Sequence, residues 1–421
     1  MASTVGSAMT KDALDVQLIR KDFPIFQQPP GDKPFVYLDS AASSQRPELV
    51  VQAMDEYYRR FHSNVHRGVY TLAEAATARY EAARIRVGRF LGAYDPAREI
   101  VFTKNATEAF NLVTQGLGRV LLDKDSVIVL TEMEHHANLV PWLILQEQIG
   151  FNIRYITFDA DGYLVLDDLD HLLEGASLLG VTMMSNVLGT LNPIAELAAA
   201  AHRHGALILA DAAQFAPHFA VDVRALGVDL LCLTGHKMLG PTGIGALWAR
   251  AEILDRMMPF LGGGDMIADV RLDGFVASEI PYKFEAGTPP IAEAIGWAAA
   301  IDYLESVGME RLRAHDLRLT EYAIANLTGT LGDAFKLYGP KISADRGGVV
   351  SFDLAGVHPH DVAQVLDQHG VCVRAGHHCA KPLMRQIGTT ATARASFYLY
   401  NDETDIDALV IALEDAYALF N

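Results

Sequence analysis

Ala206-Leu207-Ile208-Leu209-Ala210-Asp211 and Asp229-Leu230-Leu231-Cys232-Leu233-Thr234-Gly235-His236-Lys237 decide the fold. Each is a short apolar run that closes on polar residues, and each belongs to a series. Between about residues 100 and 250 such runs alternate with longer helical patterns, the signature of βα repeats around a largely parallel sheet. The expected strands are 99–103, 126–130, 153–158, 178–184, 206–210, 229–233 and 246–248. Helices are expected over 107–116, 139–149 and 194–204, the last stopped by Gly205. After Gly287-Thr288-Pro289-Pro290 the pattern changes. Two long helical stretches, 291–307 and 310–327, lead into sparser strands at 349–354, 371–373 and 395–399, with helices at 359–369 and 403–420. This describes a smaller α+β unit, with the boundary near residue 300.

Composition narrows the function classes. A chain of 421 residues, 50% hydrophobic and 20% charged, is long enough for two packed domains. Its formal charge of −18 opposes nucleic acid or an anionic membrane as the main partner, because phosphates are repelled over most of such a surface. The first ten residues lack the basic start and apolar stretch of a signal peptide, and no apolar run approaches the roughly 18 residues of a membrane span. Three irregularly spaced cysteines, Cys232, Cys372 and Cys379, do not make a disulfide framework and fit a reducing cytoplasm. Cys232 and Cys372 sit in apolar runs and read as small buried hydrophobes. Cys379 lies in a polar loop, Gly376-His377-His378-Cys379-Ala380-Lys381-Pro382.

In open α/β sheets ligands bind beyond the carboxyl ends of the strands, and the chemically useful residues cluster there. Lys237 and Asp211 stand at two such ends, an arrangement that suggests pyridoxal phosphate. The amine can form a Schiff base with an aldehyde, and the carboxylate can keep a pyridine nitrogen protonated so that the ring withdraws electrons. Gln214 can donate to the ring hydroxyl. Asp211 also has a plainer reading as a helix N-cap. Asn105-Ala106-Thr107-Glu108 opens a helix, where free amides and the Thr107 hydroxyl can hold phosphate, with Thr234 and His236 as further donors. His135 can stack on a cofactor face. His135 with His136, or His377-His378-Cys379, could instead ligate a metal, but adjacent side chains diverge and no partner has ligand spacing, so no metal site is expected.

Many ordered segments together resemble the SUF-type (class II) cysteine desulfurases, in the class V aminotransferase-like group of fold-type-I pyridoxal phosphate enzymes. They include Tyr37-Leu38-Asp39-Ser40-Ala41-Ala42, Val65-His66-Arg67-Gly68, Glu134-His135-His136-Ala137-Asn138, Ser185-Asn186-Val187-Leu188-Gly189-Thr190 and Gly235-His236-Lys237. Further on come Gly262-Gly263-Gly264-Asp265-Met266-Ile267, Phe284-Glu285-Ala286-Gly287-Thr288-Pro289, Arg374-Ala375-Gly376-His377-His378-Cys379-Ala380 and Arg394-Ala395-Ser396. The cysteine loop discriminates best, since related aminotransferases and epimerases usually lack it. Departures are small: Ala212 where glycine is frequent, Thr234 where serine is common, and Pro290 where a polar residue is usual.

The resemblance implies a large cofactor-binding domain at 31–300 with a mainly parallel seven-stranded sheet, and a small domain at 301–421 on which 1–30 pack. It implies catalytic roles for Lys237, Cys379 and His135, and cofactor binding by Lys237, Asp211, Gln214, His135, Ala106, Thr107, Thr234, His236 and Thr288, the last reaching the partner subunit of a homodimer. Asn186, Arg394, Arg374 and His66 match substrate-binding positions, with Arg394 the clamp for an α-carboxylate. The implied reaction takes sulfur from L-cysteine, leaves L-alanine, and loads a persulfide on Cys379 for a SUF-type acceptor in iron-sulfur cluster assembly. The rival readings are a selenocysteine lyase, which needs Cys379 less, another class V enzyme such as an aminotransferase or epimerase, and a scaffold that kept the fold without activity.

Overall fold

The computed structural model describes residues 14–421; the expectation for the first ten residues, and part of that for 1–30, lies outside the described residues. All seven expected strands of the first region form, and they make one sheet. From edge to edge they run Ile100–Thr103, Gly245–Ala249, Leu230–Thr234, Leu207–Asp211, Ala176–Thr182, Val127–Thr131 and Asn152–Ile156. Every pairing is parallel except the two made by Gly245–Ala249, which runs against both neighbours. The six strands inward of the Asn152–Ile156 edge are almost wholly buried, which is why they read as unbroken apolar runs. Asn152–Ile156 is only partly covered and carries Asn152 and Arg154, as suits an edge.

Helices flank the sheet. Val140–Ile149 stops at Gly150, with φ 92°, and Ile194–Arg203 stops just before Gly205, with φ 74°. The helix expected at 107–116 begins as Ala106–Leu112 and widens into i→i+5 turns over Val113–Gly118. Helices Glu48–Glu56 and Thr71–Phe90, which periodicity did not single out, pack against Ile291–Val307.

The second unit is a four-stranded antiparallel sheet in the order Phe335–Tyr338, Val349–Leu354, Thr392–Ser396, Arg374–Gly376. Helices Met309–Leu331, Pro359–Gln368 and Glu403–Phe420 share a core with it through Leu319, Phe352, Leu366 and Leu409. The expected strand at 395–399 lies earlier, at Thr392–Ser396. The chain leaves the sheet after Ser396 because the Asn401 side chain accepts the Tyr398 N–H at 2.9 Å and turns it. The expected division near residue 300 falls inside the helix Ile291–Val307.

The N-terminal segment touches both units, with Leu14, Ile19 and Phe23 in the core cluster of the large sheet. Val36–Tyr37 pairs in parallel with Val371–Cys372, and Val36 and Leu38 lie in the small-unit core. Arg20 on the helix Val16–Lys21 donates to the Tyr400 carbonyl at 2.8 Å and to Asp405 at 2.5 Å, while the Phe23 ring meets Tyr303 and Tyr400 edge-on.

Candidate active site

A cavity of about 240 Å³ opens at the carboxyl ends of the parallel strands, between the two units. Ala106, Thr107, His135, Asn186, Asp211, Gln214, Thr234, His236 and Lys237 line it from the large sheet, and Arg374, Cys379 and Arg394 from the small one. Two expected residues are elsewhere in the chain. The Thr288 side chain is exposed in the loop before Ile291–Val307. His66 occupies a left-handed turn, φ 70°, with its ring nitrogen 2.8 Å from Glu81 and its N–H donated to Thr77; it lines a separate cleft with Arg67, Asp265 and Tyr282.

Strand register brings the polar ends together. Asp211 is the last residue of its strand, opposite Thr182 on one side and Cys232 on the other. One carboxylate oxygen accepts the Ala213 N–H at 2.9 Å, but the chain after Asp211 runs through turns and no helix starts there, so the helix N-cap reading is not met and the other oxygen is left toward the cavity. Gln214, three residues on, donates to the Ala41 carbonyl at 2.7 Å. Asn105 caps the helix that begins at Ala106 by accepting the Glu108 N–H. That helix start lies directly against Gly245: a Cβ there would stand 2.6 Å from the Asn105 carbonyl carbon and 2.9 Å from the Ala106 nitrogen. Only glycine lets the helix N-terminus reach the cavity.

The electrostatics divide the groups by role. Burial lowers the Lys237 amine to about 8, against the pull of Asp211 and with the help of Arg394 and Arg374, so a useful fraction is uncharged near neutral pH. Burial raises the Asp211 carboxyl, offset by the Ala213 N–H and Lys237; a cation facing it would hold it ionised. His135 is pushed down to about 3 by burial and then by Lys237, and His236 to about 4, so both are neutral. Since His135 Nδ1 accepts the Ala137 N–H at 3.1 Å, its proton belongs on Nε2. Arg394, only 2% exposed, donates to the Asn186 carbonyl at 2.9 Å and to Asp39 at 3.2 Å, and its Nε has no partner among the described residues.

Cys379 is held by a strained turn. His378 and Cys379 have φ of 49° and 56°, a left-handed pair that costs roughly 1–2 kcal/mol per residue outside glycine. Contacts around it sustain that conformation. His378 Nε2 bonds Thr392, Asn186 Nδ2 donates to the His378 carbonyl at 2.7 Å, and the Cys379 N–H donates to His377 Nδ1. His136 closes the turn from the other side, its N–H donated to the Cys379 carbonyl at 2.8 Å and its Nε2 accepting from the Lys381 N–H. The sulfur is left half-buried at the cavity wall.

Two residues without an assigned role in the sequence reading belong to this site. Asp39 anchors Arg394, and Glu134 is a buried carboxyl one residue before His135. Both stood inside quoted motifs; nothing local distinguishes them from structural acids. Among the described residues no cluster of His, Cys, Asp and Glu could hold a metal, and no helix is long and apolar enough to cross a membrane. The donor set suits an aldehyde-bearing pyridine phosphate. It offers a depressed amine, a carboxylate in need of a cation, and hydroxyl and amide donors at a helix start.

The family model described as aminotransferase class-V matches residues 36–409. A protein of Streptomyces coelicolor named probable cysteine desulfurase is 48% identical over 97% of this chain and 98% of its own. One from Haloferax volcanii named cysteine desulfurase is 46% identical over 97% of this chain and 98% of its own. Among solved structures, the apo cysteine desulfurase from Thermococcus onnurineus NA1 is similar at 41% identity, with a TM-score of 0.90 over 100% of this chain and 99% of the other. The cysteine desulfurase CsdA (S-sulfonic acid) from Escherichia coli is similar at 37% identity, with a TM-score of 0.88 over 97% of this chain and 100% of the other.

Proposed function

The chain belongs to the class-V aminotransferase family and is a cysteine desulfurase, and on that premise we propose that it moves the sulfur of L-cysteine onto Cys379 with pyridoxal phosphate held by Lys237. The observation that carries this reading is the meeting of Cys379 with Lys237, Asp211 and Arg394 around one cavity. Bound there, pyridoxal phosphate supplies an electron sink that weakens the bond between the substrate β-carbon and sulfur.

The protein's own groups do the rest. The Arg394 fork, with its Nε edge free, takes the substrate α-carboxylate, and Asn186 braces it from behind. Lys237, with its amine lowered to about 8, takes the proton from the substrate α-carbon. Asp211 would hold a ring nitrogen cationic, Gln214 and neutral His135 would hold the ring, and Ala106, Thr107, Thr234 and His236 would supply donors for phosphate. The Cys379 thiolate attacks the substrate sulfur. A sulfur–sulfur bond forms as the carbon–sulfur bond breaks, the electron pair stays with the organic fragment, and after protonation that fragment departs as L-alanine.

Cys379 then passes its outer sulfur to an acceptor protein of the SUF type in a cytoplasmic iron-sulfur assembly system. A homodimer completes the site, with Thr288 reaching the phosphate of the second subunit. The exposed Thr288 loop and the exposed apolar residues Val270, Leu272, Phe275 and Val276 of the nearby hairpin support that assembly.

The test is to incubate the purified protein with L-cysteine, quantify alanine and locate the added sulfur by mass spectrometry. Cys379→Ser should keep the bound-cofactor absorption band and lose the persulfide. Undiminished alanine production and sulfur delivery by that variant would sink the assignment.

A further inference from the structure

Glu134 is 1% exposed, lies one residue from His135, and has no part in the reaction as derived above. Its Oε1 accepts the Thr131 hydroxyl at 2.7 Å and the Thr182 N–H at 2.8 Å; its Oε2 accepts from the Asn138 side-chain amide at 2.7 Å. The orientation of Asn138 is fixed in turn, because its oxygen takes the Trp142 indole N–H at 3.2 Å. Both carboxyl oxygens are thus needed as acceptors, and all four neighbours named are buried. Thr131 and Thr182 end two adjacent strands, and Thr182 is the register partner of Asp211, whose carbonyl accepts the next N–H, that of Met183, at 2.9 Å. Asn138 closes the turn on the other side of His135, its N–H bonded to the His135 carbonyl at 2.9 Å.

We propose that Glu134 is a positioning residue of the desulfurase reaction: its carboxyl group clamps the His135 turn to the strand ends beside Asp211, and so fixes the imidazole against the bound cofactor. The inference rests on the cofactor reading given above. Burial pushes the Glu134 carboxyl up to about 8, and the Thr131, Asn138 and Thr182 donors offset only part of that; protonated or not, its two oxygens face the fixed Thr182 N–H and Asn138 amide and must accept from them.

Replacement by glutamine is not neutral here. If the new side-chain oxygen in Glu134→Gln keeps the Thr182 N–H, the new amide nitrogen meets the Asn138 amide nitrogen, donor against donor; turning Asn138 round would orphan the Trp142 indole. Adding Asn138→Asp restores the pattern, since the glutamine amide then donates to one aspartate oxygen and Trp142 to the other.

The experiment compares holoenzymes of wild type, Glu134→Gln, Glu134→Gln with Asn138→Asp, and Thr131→Val. Steady-state alanine formation and the visible circular dichroism of the bound cofactor are read at a temperature well below every melting point. Glu134→Gln should lower kcat by about 10- to 100-fold with KM little changed, and should alter the visible band, because His135 is displaced rather than lost. The double variant should recover most of both. Thr131→Val, which removes one donor, should show a smaller change of the same kind if Glu134→Gln fails to fold. In a His135→Ala background the Glu134→Gln effect on kcat should vanish. A normal kcat and band in Glu134→Gln, no recovery in the double variant, an unchanged Thr131→Val, or a full effect without His135 would each overturn the clamp. Failure of wild type to form alanine and persulfide would instead strike the function reading, which the visible band does not depend on.

Discussion

Arg394→Lys separates a fork-shaped carboxylate clamp from a mere positive charge. The guanidinium spends one edge on the protein, through the Asn186 carbonyl at 2.9 Å and Asp39 at 3.2 Å, and leaves Nε without a partner at a site only 2% exposed. A lysine keeps the charge but has one nitrogen to divide among the Asn186 carbonyl, Asp39 and the incoming carboxylate. Losing one charge-assisted hydrogen bond costs about 1.5–3 kcal/mol, which predicts a fall in kcat/KM of roughly 10- to 150-fold. The loss should appear mainly in KM, because the α-carboxylate is bound equally in ground state and transition state. A smaller drop in kcat should accompany it, since Asn186 also holds the His378 carbonyl and through it the Cys379 turn. The assay is alanine formed against L-cysteine concentration, with the cofactor absorption band as a control for loading. A kcat/KM within about twofold of wild type would show that Arg394 does not carry the substrate carboxylate.

The depressed Lys237 amine predicts the pH dependence of cofactor loading. Only the free amine attacks an aldehyde, so the loading rate of the apoprotein should rise with pH and level off above about 8, measured by stopped-flow absorbance. A rate still climbing about tenfold per pH unit between about 9 and 10 would indicate an ordinary lysine near 10.4. His378 predicts acid sensitivity. Burial pushes it down to about 3 in the folded chain, from an ordinary 6.5, and its Nδ1 is buried without a partner among the described residues. Between those values the unfolded chain binds a proton that the folded chain refuses, so the stability from the neutral ring is intact above about 6.5 and is lost as pH falls, by about 1.4 kcal/mol per pH unit. His378→Gln should flatten the pH dependence of the urea midpoint between about pH 4.5 and 6.5; equal slopes would refute the assignment.

Six strands of the large sheet were legible because burial leaves a local mark, an unbroken apolar run, that does not depend on neighbours. The same locality exposed Lys237, Asp211 and the Asn105–Thr107 helix start, since each stands at or just past the end of its own strand. The strand expected at 395–399 was misplaced for a related reason: Phe397, Tyr398 and Leu399 are as buried as a strand, but a side-chain bond from Asn401 turns them out of the sheet. Hydrophobicity reports burial, not hydrogen-bond partners.

By itself, the sequence determined which residues could do chemistry and that many of them would stand at strand ends. Tertiary structure alone decided which ends meet. The order of the sheet inserts Gly245–Ala249 between Ile100–Thr103 and Leu230–Thr234, so the helix start after Thr103 comes to face Lys237. Packing of the small unit, in turn, brings Cys379 and Arg394 over the same cavity. It also turned Glu134 into a clamp and tied His66 to Glu81 outside the cavity, distinctions that arise from hydrogen-bond partners distant in the chain and leave no periodic trace in it.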